Sequence, residues 1–116
     1  MKFHSLILYS MVLVVPVGNI IAQQAASSND QAFVGKVSQG GRYEVEASKI
    51  AAQKALAQDV KDVAASEVHD HELVNAELKQ ISAALHVTIV PTLNAEFQGK
   101  LDHLRSLSGP DLTLPI

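Results

Sequence analysis

The sequence predicts an all-α protein: an antiparallel helical bundle made of a long helical hairpin and a shorter third helix. Three observations carry this expectation. Apolar residues recur at steps of three and four along three separate stretches, the period of one helix face. The single Val/Thr/Ile-rich run, His86 to Pro91, has no second strand to pair with, so it reads as an extended connector. About 94 residues remain after the N-terminal leader, enough for one small core shared by three helical faces.

The leader is Met1 to Ala22. Met1-Lys2 supplies a short positive region, and Leu6 to Val17 is almost wholly apolar. Pro16 and Gly18 break the run, and Ile20-Ile21-Ala22 offers a cleavage site after Ala22. This is the layout of a secretory signal peptide. An uncleaved membrane anchor is the alternative, but a span needs about 20 apolar residues and this run is shorter. The mature chain is therefore expected to be exported and to hold no transmembrane helix. It has no cysteine, hence no disulfide and no lipid-bearing cysteine after the leader. With Lys2 removed, eight basic residues face twelve acidic ones, well interspersed. Nothing in that balance suggests a nucleic-acid footprint.

Residues 23–29 form a polar lead-in, and Ser28 or Asp30 can cap the first helix. That helix is expected over Asp30 to about Leu56. Its stripe is Phe33, Val37, Gly40, Glu44, Ala47 and Ala51, flanked by Tyr43 and Ile50. Gly40-Gly41 falls mid-helix, where each glycine costs about 1 kcal/mol against alanine. The small Ala47, Ala51, Ala52 and Ala55 nearby favour close approach of another helix over a tolerated kink. Ala57-Gln58-Asp59 marks a weakly written turn into a second helix, Asp59 to about Leu85. One continuous bent helix is the alternative, but at about 84 Å it exceeds an ordinary domain.

The second helix carries the stripe Val60, Val63 or Ala64, Glu67, His71, Val74, Leu78, Ile81, Leu85. Six of its eight positions are apolar, so the face is expected to be buried, and Glu67 and His71 interrupt it one turn apart. Thr92 or Asn94 caps a third helix with the stripe Leu93, Phe97, Leu101, Leu104, Leu107, and Ser108-Gly109-Pro110 stops it. The helical domain thus covers residues 30–110, with residues 111–116 as an irregular tail.

In a hairpin turning at Ala57–Gln58, Glu44 and His71 lie at the same height, with Glu67 one turn away. Two carboxylates and an imidazole then converge in an apolar interface. One reading is a buried hydrogen-bonded network that fixes register and binds nothing. The other is a metal site of Glu44, Glu67, Asp70 and His71, whose donors suit iron, manganese or zinc. Four-helix metal sites use Glu-x-x-His, whereas this chain has Glu67-x-x-Asp70 with His71 one residue later. His69 and Glu72 are expected to face solvent, as are His86 and His103. There is no cysteine nucleophile, no Gly-x-Ser-x-Gly elbow and no Gly-rich phosphate loop. No reaction is written in the sequence, and a non-enzymatic role without cofactor is the first reading.

Phe33-Val34, Gln39-Gly40-Gly41, Glu44-Val45-Glu46, Lys49-Ile50-Ala51, Asp70-His71 and Asn75-Ala76-Glu77-Leu78 occur here in an order that resembles one exported bacterial family. Leu93-Asn94-Ala95-Glu96, Leu101 and Leu107-Ser108-Gly109 extend the likeness, which runs from Asp30 to about Pro110. The family is the domain of unknown function 4142, often labelled outer-membrane protein and placed among ferritin-like bundles. The resemblance implies a partial ferritin-like four-helix bundle in the periplasm or at the outer membrane, with no established activity. Two departures stand out. Ala57-Gln58 replaces an Asn-Pro-like break, and the chain ends in Asp111-Leu-Thr-Leu-Pro-Ile116 where members continue with more helix and a second Asp-His-type motif. It therefore resembles a member truncated after its third helix. The expected role is a structural or interaction module of the cell envelope, acting through a homodimer or an envelope partner. A ferritin-like metal-binding or redox protein is the alternative.

Overall fold

A computed structural model describes residues 25–112. The leader and the last four residues lie outside that range, so the expectations placed on them stay expectations. Three helices follow in order: α1 (Ser28–Lys54), α2 (Gln58–Ala84) and α3 (Ala95–Ser106), then a 3-10 turn at Gly109–Asp111. The main packing is α1 on α2, and α3 lies along α1. The all-helical hairpin with a shorter third helix is what the periodicity predicts.

Each helix begins where local chemistry allows it. Ser27, one residue before the expected cap, opens α1. Its hydroxyl accepts from the Asp30 amide at 3.1 Å, and the Asp30 carboxylate accepts from the Ser27 amide at 3.0 Å. This reciprocal box satisfies two otherwise orphan donors. At α3 the Asn94 side chain accepts from the Phe97 amide at 2.9 Å, as expected of a cap. At α2 the cap is Ala57, which offers no side-chain acceptor.

The hairpin turn is Ala55–Ala57, slightly earlier than the sequence suggests and without glycine or proline. Packing holds it there. Ala55 and Val60 are buried with Leu112, and Leu104 and Leu107 close over them. Leu56 points outward, 71% exposed. The segment after Pro110, read from the sequence as irregular tail, thus contributes Leu112 to the core at the closed end of the hairpin. Gly109 makes this possible: a Cβ there would stand 2.6 Å from the Lys54 carbonyl oxygen.

The buried face of α1 differs from its apolar stripe, while that of α2 keeps Val60, Ala64 and Leu78 of its stripe and loses the rest. On α1 the buried residues are Val34, Ser38, Gly41, Val45 and Ser48, while Phe33 is 64% exposed. The expected stripe beginning at Phe33 and Val37 is displaced by one residue, about 100° around the helix. On α2 the buried residues are Val60, Ala64, Leu78 and Ser82. Val63, Val74 and Ile81, expected inside, are close to half exposed.

The reason is the size of the side chains at the contact. Serine, glycine and alanine let the two backbones approach, and the serine hydroxyls need no partner across the interface. Ser38 donates to the Gly35 carbonyl at 3.0 Å, and Ser82 to the Lys79 carbonyl at 2.9 Å. A buried hydroxyl satisfied within its own helix escapes most of the desolvation penalty.

The connector between α2 and α3 is extended, as expected, with no strand. His86 starts it at φ 55°. Gln39 of α1 then grips it from both sides, donating to the Thr92 carbonyl and accepting from the Asn94 amide, each at 2.8 Å. Tyr43 stacks on Phe97 with ring centroids 4.9 Å apart, and Leu101, 2% exposed, anchors the middle of α3.

Candidate functional site

Glu44, Glu67 and His71 come together. One donor atom from each lies within 4.8 Å of the other two, and the His71 Nε2 stands 3.1 Å from the Glu67 Oε2. The geometry follows from the hairpin. Turning at Leu56, it places Glu44, twelve residues before the turn, opposite the stretch between Glu67 and His71. The i,i+4 spacing on α2 supplies the third member.

The setting departs from the expected buried interface. The Glu67 side chain is 46% exposed and that of His71 31%, so the trio sits at the edge of the α1–α2 contact, open to water. The cause is the offset described above. Because α1 buries Val34, Ser38 and Gly41, its Glu44 flank turns outward. A half-exposed Glu–His pair at i,i+4 is worth only about 0.2–0.5 kcal/mol. The loss of about 1–3 kcal/mol that a buried network would suffer without His71 does not apply here. Asp70, the fourth residue of the predicted metal set, is exposed and outside the group. It lies about 100° around α2 from His71.

The trio has the donors for one divalent cation. Donor atoms around one tetrahedral ion at about 2.0–2.2 Å stand about 3.3–3.6 Å apart. A separation of up to 4.8 Å must therefore close by up to about 1.5 Å through side-chain rotation before the trio can share an ion.

The expected surface residues are exposed: His69, Glu72, His86 and His103. Glu72 nevertheless takes part in a small charge cluster, in which Lys49 Nζ lies 3.3 Å from its carboxylate and 3.7 Å from that of Glu46.

The residue that sequence reasoning missed is Asn75. It occupies the contact face where Val74 was expected, and it covers Gly41: a Cβ on Gly41 would meet the Asn75 Oδ1 at 2.2 Å. The spacing His71, Asn75, Leu78, Ser82, at steps of four, three and four, carries the signal. It is as regular as the more hydrophobic Val74 and Ile81 row beside it. The close approach expected at Gly40-Gly41 is thus made by Gly41, whereas space is open around Gly40.

No helix among the described residues is long and apolar enough to cross a membrane. The chain matches no curated protein and no solved structure. A family model described as Domain of unknown function (DUF4142) matches residues 16–113. That range takes in both helices of the hairpin, the Glu44–Glu67–His71 trio and all of α3 through Leu112, so the chain belongs to the DUF4142 family.

Proposed function

We propose that this protein is an exported helical module of the cell envelope that acts by association, its occupant being a second copy of the chain on the open face of the hairpin. The carrying observation is that α2 spans 27 residues and has one principal neighbour. α3 is only 12 residues, about 18 Å against about 40 Å for each hairpin helix, and it lies along α1. Val63, Leu73, Val74 and Ile81 of α2 are therefore 43–59% exposed, with Phe33 of α1 64% exposed. Val63, Val74 and Ile81 lie within about 20° of one line along α2. Exposed apolar side chains along one line of a helix, here with Asp70 between Val63 and Val74, form a surface that finds a partner or aggregates. Two-fold pairing of hairpins buries it in a four-helix arrangement, each strip covering its equivalent. Export rests on the Met1-Lys2 and Leu6–Val17 leader pattern.

Sedimentation of the mature chain tests association. A concentration-dependent dimer is expected, reduced to monomer by Val74→Lys with helicity unchanged. A well-folded monomer throughout the micromolar range overturns the reading. Mass spectrometry of the exported protein should find its N-terminus near Gln23.

A second reading is favoured by the trio itself. Glu44, Glu67 and His71 would bind iron, manganese or zinc as a three-donor site, and a paired copy would bring a second trio to the same face. Metal analysis of the purified protein tests it: bound metal that His71→Ala removes supports the site, and metal-free protein that takes up none of the three ions rejects it.

A further inference from the structure

Another side of the hairpin carries a groove of about 510 Å³ between α1, α2 and the connector. On α2 its lining centres roughly a third of a turn from Val63, Val74 and Ile81, with Leu78 nearest that row. The apolar part of its wall is Val45 of α1, Ala76 and Leu78 of α2, and Ile89 and Pro91 of the connector. This volume is in the range of pockets that hold small organic molecules.

Arg42 gives the groove its chemistry. Its guanidinium forms no ion pair within 4.0 Å among the described residues, and its Nε–H is buried with no acceptor. A buried donor left unmade is costly, more so when it belongs to a charged group. The two carboxylates on the lining, Glu46 and Glu72, do not answer it, because both are engaged by Lys49. Lys79 adds a second cation to the lining. On the lining Arg42 and Lys79 balance Glu46 and Glu72, and Lys49, which stands outside the lining against both carboxylates, leaves one positive charge in the surroundings. That suits a monoanion, since a dianion would be repelled by the two neighbouring glutamates. A small outward displacement of the guanidinium toward an incoming oxyanion gives the Nε–H its missing acceptor, with a charge-assisted hydrogen bond.

We infer that this groove binds a small monocarboxylic acid with an apolar body. The carboxylate is held by Arg42, and the apolar body lies along Val45, Leu78 and Ile89. The inference is independent of the association proposed above, because it concerns another face of the hairpin.

Titration of the full mature chain with decanoate, below its micelle concentration and followed by methyl NMR and calorimetry, tests it. Saturable binding is expected, with the largest methyl shifts at Ala76, Leu78 and Ile89. Arg42→Gln should weaken it about tenfold or more, the loss of one charge-assisted hydrogen bond. Decanol, which lacks the charge, and acetate, which lacks the body, should each bind at least about tenfold more weakly. Ala76→Leu, at an exposed position, should fill the groove and exclude decanoate with Arg42 intact and the helical signal unchanged. Shifts confined to Val63, Val74 and Ile81, affinity unchanged in Arg42→Gln, or decanol equal to decanoate would each overturn the assignment. A short apolar peptide compared with its C-terminally amidated form asks where such an acid comes from. Binding that requires the free carboxylate supports the same chemistry with a peptide terminus as its source. Decanoate binding without peptide binding supports a fatty acid.

Discussion

Gly40 and Gly41 are adjacent in the middle of α1, and alanine at each should act differently on stability. In a helix interior, alanine is favoured over glycine by about 1 kcal/mol. A Cβ on Gly40 meets nothing within 4 Å. Gly40→Ala should therefore stabilise by close to that amount, raising the melting temperature by about 4–8 °C for a domain of this size. At Gly41 the same intrinsic gain meets the Asn75 side chain, whose Oδ1, Cγ and Nδ2 would lie 2.2, 3.2 and 3.4 Å from the new Cβ. Moving Asn75 out of the contact is an overpacking cost of about 1–3 kcal/mol. The net for Gly41→Ala then falls between no gain and a loss of about 2 kcal/mol. All three obstructing atoms belong to one side chain, so the Gly41→Ala/Asn75→Ala double variant should recover most of the loss in a double-mutant cycle. Thermal and urea unfolding followed by circular dichroism provide the comparison. Gly41→Ala as stabilising as Gly40→Ala, or no coupling with Asn75, would refute the proposed helix contact.

At Gly109 the obstructing atom is the Lys54 carbonyl oxygen, 2.6 Å from where an alanine Cβ would stand. Backbone cannot rotate aside, so Gly109→Ala should cost about 1–3 kcal/mol in unfolding experiments and loosen Leu112 from Ala55 and Val60. Leu101→Ala removes the most buried side chain of α3. A loss of about 2–5 kcal/mol is expected, with hydrogen exchange accelerated in α3 before the hairpin. Acid should weaken the helix starts. The Asp30 carboxyl is held below its ordinary value by the Ser27 hydroxyl and then the Ser27 amide. That of Glu96 is held down by the hydrogen bond and charge of Lys100. Lowered carboxyl values mean that these contributions are whole above the ordinary carboxylate range, near pH 4, and fade as pH falls through the lowered values. Asp30→Asn combined with Glu96→Gln should flatten that part of the stability–pH curve.

Much of the fold was legible in local chemistry. The three-and-four period gave three helices and their order. Asn94 marked the start of α3, Ser108-Gly109-Pro110 its end, and the lone β-rich run remained a connector for want of a partner. Even the meeting of Glu44 with Glu67 and His71 followed from counting residues outward from a turn, because helix rise is constant and height in a hairpin is fixed by sequence distance.

Rotation about the helix axis was not fixed in that way. Two rows of residues about 100° apart on one helix can have equal period, and hydropathy chose the greasier one along α1 and at Val74 and Ile81 of α2, while Val60, Ala64 and Leu78 are buried as the α2 stripe predicts. Tertiary packing chose the row with the smaller side chains, Ser38, Gly41 and Ser48 against Ala64, Asn75 and Ser82, since backbones draw close only where no bulk intervenes. That one choice turned Val63, Val74 and Ile81 outward and moved the trio from a buried interface to its wet edge. The turn at Ala55–Ala57 and the place of Leu112 were likewise set by packing, because Ala55 and Ala57 carry no turn chemistry of their own. Arg42 and its groove exist only where α1, α2 and the connector meet, a neighbourhood that no single helix period contains.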